Sequence, residues 1–204
     1  MKDAVLIQTC DNVANAEMIA LYFGRHVEYC VKHDFDYWTH SGRMRMCDDQ
    51  PWVRFALAIE AFLTGYKYVV YLDTDAFIYD LGADLREACI KPINLVRYTV
   101  PTSHLNTGVI YFNNDRQIAK AVCQFLLQER RYFMEYYPSL RGWFDQGHVN
   151  LIYNNPGNAE HFGEVDIKYN WDTHYSDPCE HPIVKAWHGV LEPERTEEMR
   201  KELA

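Results

Sequence analysis

The stretch 66–80, YKYVVYLDTDAFIYD, constrains the fold of this chain more than any other. Tyr68 to Leu72 is an unbroken run of aromatic and aliphatic residues, the composition of a buried strand rather than a helix. The run ends abruptly in Asp73-Thr74-Asp75, after which Ala76-Phe77-Ile78-Tyr79 is apolar again. Open α/β sheets keep their ligands at the C-terminal ends of parallel strands. Aspartates are rarely buried unpaired, and two this close repel unless a proton or a cation relieves them. A hard divalent cation, Mg2+ or Mn2+, bound by one or two carboxylates and completed by phosphate oxygens and water, meets that need. A turn at the end of a strand is the competing explanation for these aspartates.

The 204 residues suffice for one domain with a real core, and 48% hydrophobic with 24% charged residues is ordinary for a globular chain. The net charge of −9 argues against nucleic acid or an anionic membrane as a partner. It also means that a phosphate-bearing ligand needs a metal and a few local arginines to hold it. No signal peptide or membrane-spanning run is visible, so the chain reads as cytoplasmic, or of the host cytoplasm if viral. The six cysteines show no CxxC pair. Cys10, Cys30, Cys89 and Cys123 lie in apolar segments and read as buried, reduced thiols.

Residues 4–9, AVLIQT, read as a first, central strand. Asn12 or Asn15 caps a helix that spans 14–32, closed by His33-Asp34, and 35–40 is a second strand. This β-α-β unit predicts parallel pairing with a right-handed crossover. The segment 41–51 is polar and irregular. Pro51 suits the first turn of an apolar helix over 52–63, which Gly65 ends. After the Asp-Thr-Asp strand come a loop or short helix over 80–87 and a strand at 93–98. Asn106-Thr107-Gly108 precedes a strand at 109–113, and a helix runs from Asp115 to about Tyr136. Its run 128–131, QERR, reads as a solvated face. An apolar helical stretch follows Asp145-Gln146, 154–157 is a turn, 183–187 a short strand, and the charged tail 192–204 is helical in part.

In this order the segments resemble the GT-A fold glycosyltransferases. The segment 28–38, EYCVKHDFDYW, is similar to that family's YAxxHGYxY, and Trp52-Val53-Arg54 to its W-x-K, with Arg for Lys. His104-Leu105-Asn106-Thr107-Gly108-Val109 resembles LNxGV, and Asp145-Gln146 resembles the DQ motif. Trp187-His188-Gly189 resembles the late His-x-x-Gly region, with His directly before Gly. The matches cover about Val5 to Gly189 and point to the retaining galactosyl/mannosyl and glycogenin-like groups. The resemblance implies one Rossmann-like GT-A domain, α/β with a mixed, mostly parallel central sheet flanked by helices. Its residues 1–105 would bind the nucleotide and 106–204 would face the acceptor.

The same resemblance implies a metal-dependent transfer of a sugar from a nucleoside diphosphate donor, UDP-glucose or UDP-galactose, to a glycan or glycoprotein acceptor. Asp73, Asp75 and His188 would hold Mn2+ or Mg2+. Thr9, Cys10 and Asp11 would line the base pocket, with Tyr37 or Trp38 stacking on the base. Arg54 offers forked donors to phosphate, Thr74 reaches the ribose, and Asn106, Gly108 and Gly189 approach the donor. Asp145 and Gln146 are the catalytic candidates, with Asp145 near the anomeric carbon or the sugar hydroxyls. On spacing alone, Asp145 reads equally as a helix N-cap. Two other functions compete. A haloacid-dehalogenase-type phosphatase also uses Asp-x-Asp after a strand, with the first Asp as nucleophile. That family places it on an early strand with Thr or Val two residues on, where this chain has Phe77. A non-catalytic sugar-binding module would need neither Arg54 nor His188.

Overall fold

A computed structural model describes residues 2–42, 44, 47, 49–99, 102–172, 174, 176, 178–188 and 193–203. Strand β1 (Ala4–Cys10) leads into helix α1 (Val13–Lys32), capped by Asn12, whose side chain accepts from the Asn15 N–H at 2.9 Å. The chain turns at Asp34, φ 58°, and β2 (Phe35–Ser41) returns parallel to β1. Helix α2 (Gln50–Leu63) carries Pro51 in its first turn, where a missing N–H costs nothing, and stops before Gly65, φ 107°. Strand β3 (Tyr68–Leu72) pairs parallel with the other edge of β1. There follow β4 (Ala76–Ile78), β5 (Ile93–Tyr98), β6 (His104–Asn113), α3 (Ile118–Tyr136) and α4 (Phe144–Tyr153). The chain ends with β7 (Phe162–Val165), β8 (Trp171–Asp172), β9 (Val184–Ala186) and α5 (Glu194–Leu203).

The main sheet has the order β2-β1-β3-β6-β5-β7. Only β6 runs against its neighbours, so the sheet is mixed and mostly parallel, as the sequence predicts. Alternation sends Val5, Ile7, Val69 and Tyr71 into a core with α2 and α3. Ala4, Leu6, Val70 and Leu72 face the opposite core, which includes Tyr29 and Cys30 of α1. The strands are therefore buried on both faces, which is why their sequence reads as continuous apolar runs. A smaller sheet, β4-β9-β8, packs at the end where β3 stops. No helix among the described residues is long and apolar enough to cross a membrane.

Several expectations are corrected. β1 is interior but second in the sheet; β3 and β6 hold the middle. Asn106-Thr107-Gly108 lies inside β6, which begins at His104, because pairing with β5 outweighs the weak strand preference of Asn and Gly. The helix expected from Asp115 begins at Ile118, after a 3-10 turn with Arg116 and Gln117 at φ 54° and 59°. Cys30, Cys89 and Cys123 are buried free thiols, but Cys10 is only half-buried.

Candidate active site

The Asp-Thr-Asp segment is a tight turn between the two sheets. The Asp73 N–H leaves the ladder to donate to the Gly108 carbonyl at 2.7 Å, and the Ala76 N–H closes back on the Asp73 carbonyl at 3.1 Å. Beneath it lies the fully buried Gln8, whose amide donates to the Asp73 carbonyl at 3.2 Å. Gln8 Oε1 accepts from the Tyr37 hydroxyl at 2.6 Å and faces His26 Nδ1 at 3.0 Å, while His26 Nε2 accepts from the Ile78 N–H at 3.1 Å. These partners assign His26 as neutral with its proton on Nδ1. Burial, helped by Arg25, pulls its pKa down to about 3. The Tyr22 hydroxyl donates to the Thr74 carbonyl from the same side.

Asp73, Asp75 and His188 meet above this network, with one possible ligand atom from each lying within 4.8 Å of the others. His188 follows β9. Its N–H donates to Asp172 Oδ2 at 2.7 Å, its Nε2 is 3.2 Å from Asn170 Oδ1, and its Nδ1 is 3.2 Å from Asp75 Oδ1. Gly108 makes room for the ring: a Cβ there would lie 2.2 Å from His188 Cε1. Arg195 Nη1 donates to Asp75 Oδ2 at 3.0 Å. Burial alone would raise the Asp75 carboxyl, but His188 and Arg195 hold it down to about 2. Burial alone would lower His188, but the Asp75 carboxylate holds it up at about 9. Asp73 is raised, because burial outweighs the pull of Arg54.

Two carboxylates and an imidazole form a donor set that suits Mn2+ or Mg2+. Asp75 Oδ1 supports the fit, since it is buried and its contact with His188 Nδ1 at 3.2 Å is not aligned as a hydrogen bond. Asn170 stands where it can fix the imidazole through Nε2, as outer partners of metal-bound histidines do.

Arg54, on the second turn of α2, ties this group to a third carboxylate. Its Nη2 is 3.2 Å from Asp73 Oδ1, its Nε 3.3 Å from Asp145 Oδ2, and its Nη1 donates to the Thr107 carbonyl. The guanidinium lies 4.8 Å from the centroid of the Tyr71 ring. The Tyr71 hydroxyl donates to Asp73 Oδ1 at 3.0 Å and bonds Thr9 Oγ1 at 2.8 Å. Asp145 lies in the first turn of α4, buried against Arg54, and no side chain caps that helix. The N-cap reading therefore gives way to an ion pair. Burial pushes Asp145 up to about 6 even with Arg54 beside it. Gln146 Oε1 accepts from the Thr107 N–H at 3.2 Å, and Asn106 Oδ1 accepts from the Gly108 N–H at 2.8 Å and from Asn170 at 2.9 Å.

These groups border a cavity of about 260 Å3 at the C-terminal ends of β1 and β3. Thr9, Asp11, Arg54, Asp73, Thr74 and Asp145 line it. Asn106, Gly108 and Gln146 belong to the support beneath, while Asp75 and His188 stand next to it through Asp73. Tyr37, Trp38 and Cys10 are not among its walls. Tyr37 and Trp38 pair with Leu6 and Ile7, in the middle of β1 and short of its end. Tyr37 spends its hydroxyl on Gln8 and packs toward Phe23 of α1, and Trp38 stands edge-on to Tyr66 at 5.4 Å. Cys10 packs against the cluster of Met18 and Ile19. Gly189 lies outside the described residues. Sequence reasoning missed Arg195, Asp172, Asn170 and the Gln8–His26 pair. Isolated polar residues in apolar segments and one Arg among the charges of the tail carry no motif; the late Asn-Trp-Asp ahead of Trp187-His188 is the one local signal.

No protein-family model matches the sequence, and a search of curated proteins finds no match. Solved structures do share the fold. A glycosyltransferase involved in the glycosylation of the major capsid of PBCV-1 superposes with a TM-score of 0.69 at 15% identity, covering 97% of this chain and 98% of that one. The apo form of the glycosyltransferase GlyE of Streptococcus pneumoniae TIGR4 gives 0.63 at 14% identity, with all of this chain spanning 60% of that one. Mouse xyloside xylosyltransferase 1 gives 0.59 at 10% identity over 92% and 98%. At these identities the likeness is one of fold, and the fold is one that glycosyltransferases use.

Proposed function

We propose that the protein is a cation-dependent glycosyltransferase that moves a hexose from a nucleoside diphosphate donor, UDP-glucose or UDP-galactose, to a hydroxyl of a glycan or glycoprotein. The observation that carries this reading is the continuous group Asp75–His188–Asp73–Arg54–Asp145 at the strand ends, beside a mainly polar cavity of about 260 Å3. The glycosyltransferase neighbours add support at the level of fold. In the reaction the acceptor oxygen bonds to the anomeric carbon, the bond from that carbon to the phosphate oxygen breaks, and its electron pair leaves with the nucleoside diphosphate. The acceptor proton passes to the departing phosphate or to solvent. A bound Mn2+ or Mg2+ would supply Lewis-acid stabilisation of the charge on that diphosphate.

The chain's own residues position the donor. Asp73, Asp75 and His188 would hold the ion, with Asn170 and Asp172 fixing His188. Thr9, Asp11 and Thr74 face the nucleoside, and Arg54 holds the sugar-side phosphate or hydroxyls while orienting Asp145. Asp145 would stand beside the anomeric carbon, and Gln146 braces the Thr107 backbone that Arg54 also grips. The motif resemblance favours retention of configuration, read directly from the anomer of the product by NMR. A phosphatase nucleophile at Asp73 fits less well, because its Oδ1 is already engaged by Arg54 and Tyr71.

Titration calorimetry with UDP-glucose and UDP-galactose, with and without Mn2+, is the test. Binding should be at least about tenfold tighter with the ion, and by linkage the donor should tighten the ion equally. Equal affinity in both conditions, or activity that survives chelator, removes the metal from the mechanism. Asp73→Ala and Asp75→Ala should each abolish transfer in a protein that still folds.

A further inference from the structure

Phe144 stands at the lip of the cavity with 48% of its surface exposed, next to Gln50, Pro51 and Asp145. Its backbone lies at φ 46°, ψ −128°, a conformation that a bulky L side chain takes only when its surroundings impose it. Trp143 beside it is 41% exposed and stands edge-on to the His104 imidazole, with ring centroids 4.9 Å apart. The remaining cavity walls are mainly polar, and the Tyr71 ring is covered by Arg54. Phe144 is thus the exposed aromatic ring among the described residues that line this cavity. Strain and exposed apolar surface both cost stability, and a flat apolar ring beside polar groups is the surface that a pyranose fits. One face of the sugar is C–H, and its rim is hydroxyl.

Its position selects which sugar. Arg54, Asp73 and Asp145, largely buried, bound the inner side, where the donor sugar must lie for its anomeric carbon to reach Asp145. Phe144 adjoins Asp145 in the chain but opens to solvent, the side from which an acceptor arrives. We propose that Phe144, flanked by Trp143, is the platform on which a sugar ring of the acceptor stacks. The acceptor hydroxyl would then be carried by carbohydrate rather than by a bare serine, threonine or lipid alcohol. This rests on the transferase reading above.

The full chain with Mn2+ and UDP, titrated with methyl β-glucoside, methyl β-galactoside and lactose and separately with a serine peptide, tests it by saturation-transfer NMR. At least one sugar should bind and the peptide should not. Phe144→Ala should weaken that sugar about tenfold or more, and Phe144→Trp should retain it within about threefold. Phe144→Gly, which relaxes the backbone, should melt no lower than wild type yet lose the sugar as Phe144→Ala does. Unchanged sugar binding in Phe144→Ala overturns the proposal. So does a Phe144→Gly protein that melts well below wild type, since Phe144 would then be a packing residue. If UDP binds but no sugar does up to roughly 100 mM, the platform alone falls. If UDP with Mn2+ fails to bind as well, the transferase reading falls with it.

Discussion

Arg54 lies between the buried Asp145 and the partly exposed Asp73, whose side chains are 6% and 29% exposed, and its own side chain is only 11% exposed. Removing one partner of a buried ion group leaves the others uncompensated, at a cost of about 3–5 kcal/mol. Arg54→Met should lose that much stability in urea unfolding, and Arg54→Lys should recover only part, because an ammonium cannot fork toward Asp73 and Asp145 together. A loss below about 1 kcal/mol for Arg54→Met would mean the carboxylates find other partners. Gly108 makes a different kind of demand. Its missing Cβ is the space that the His188 ring occupies, so Gly108→Ala must displace the ring or β6. The expected result is loss of the Mn2+-induced rise in melting temperature while the protein stays folded; a full metal response in Gly108→Ala would separate His188 from the ion.

Within the elements, α1 does more than cover the sheet. It plants His26 against Gln8 and the Ile78 N–H, so that β1 and the end of β4 share one neutral imidazole. In the unfolded chain this histidine takes up its proton near pH 6.5, in the fold only near pH 3. Between those values the unfolded state binds the extra proton, so stability is complete above about pH 6.5 and falls as the pH drops, by about 1.4 kcal/mol per unit. His148, lowered by burial to about 4, adds to the same slope. His26→Gln keeps a donor and an acceptor but cannot titrate. Its melting temperature should fall less steeply than wild type between pH 6 and pH 4, whatever its value at neutral pH. Parallel slopes for the two proteins would place the acid sensitivity elsewhere.

At the scale of the molecule, the small sheet and α5 complete what the main sheet begins. Met199 is fully buried among Met18, Tyr22, Phe77 and Trp187, and Arg195, one turn earlier on the same face, reaches Asp75. The last helix thus fastens α1, β4 and the segment after β9 around the Asp-Thr-Asp turn. Met199→Ala should cost about 2–4 kcal/mol and increase hydrogen exchange across α5. Exchange in α5 that stays at the wild-type rate would show that Arg195 and the Lys185–Glu202 pair hold the helix without Met199.

What the sequence determined by itself is local. The buried run Tyr68–Leu72 broken by Asp73-Thr74-Asp75, the Pro51 and Gly65 that bound α2, and the Asn12 cap of α1 all act within one or two turns, so they were legible as strand, helix and strand end. The ordered motifs are legible too, and they single out Asp73, Asp75, His188, Arg54 and Asp145. Only the tertiary structure decided how those residues meet. Strand register turned Tyr37 toward α1 rather than the cavity, since a strand side chain faces whichever side the pairing assigns it. Pairing with β5 absorbed Asn106-Thr107-Gly108 into β6. Strands of two to four residues, β4, β7, β8 and β9, are too short to carry a period and exist through their partners. Asp145 became an ion-pair partner instead of a helix cap, and Arg195 joined Asp75, because packing brought together side chains that the chain keeps far apart.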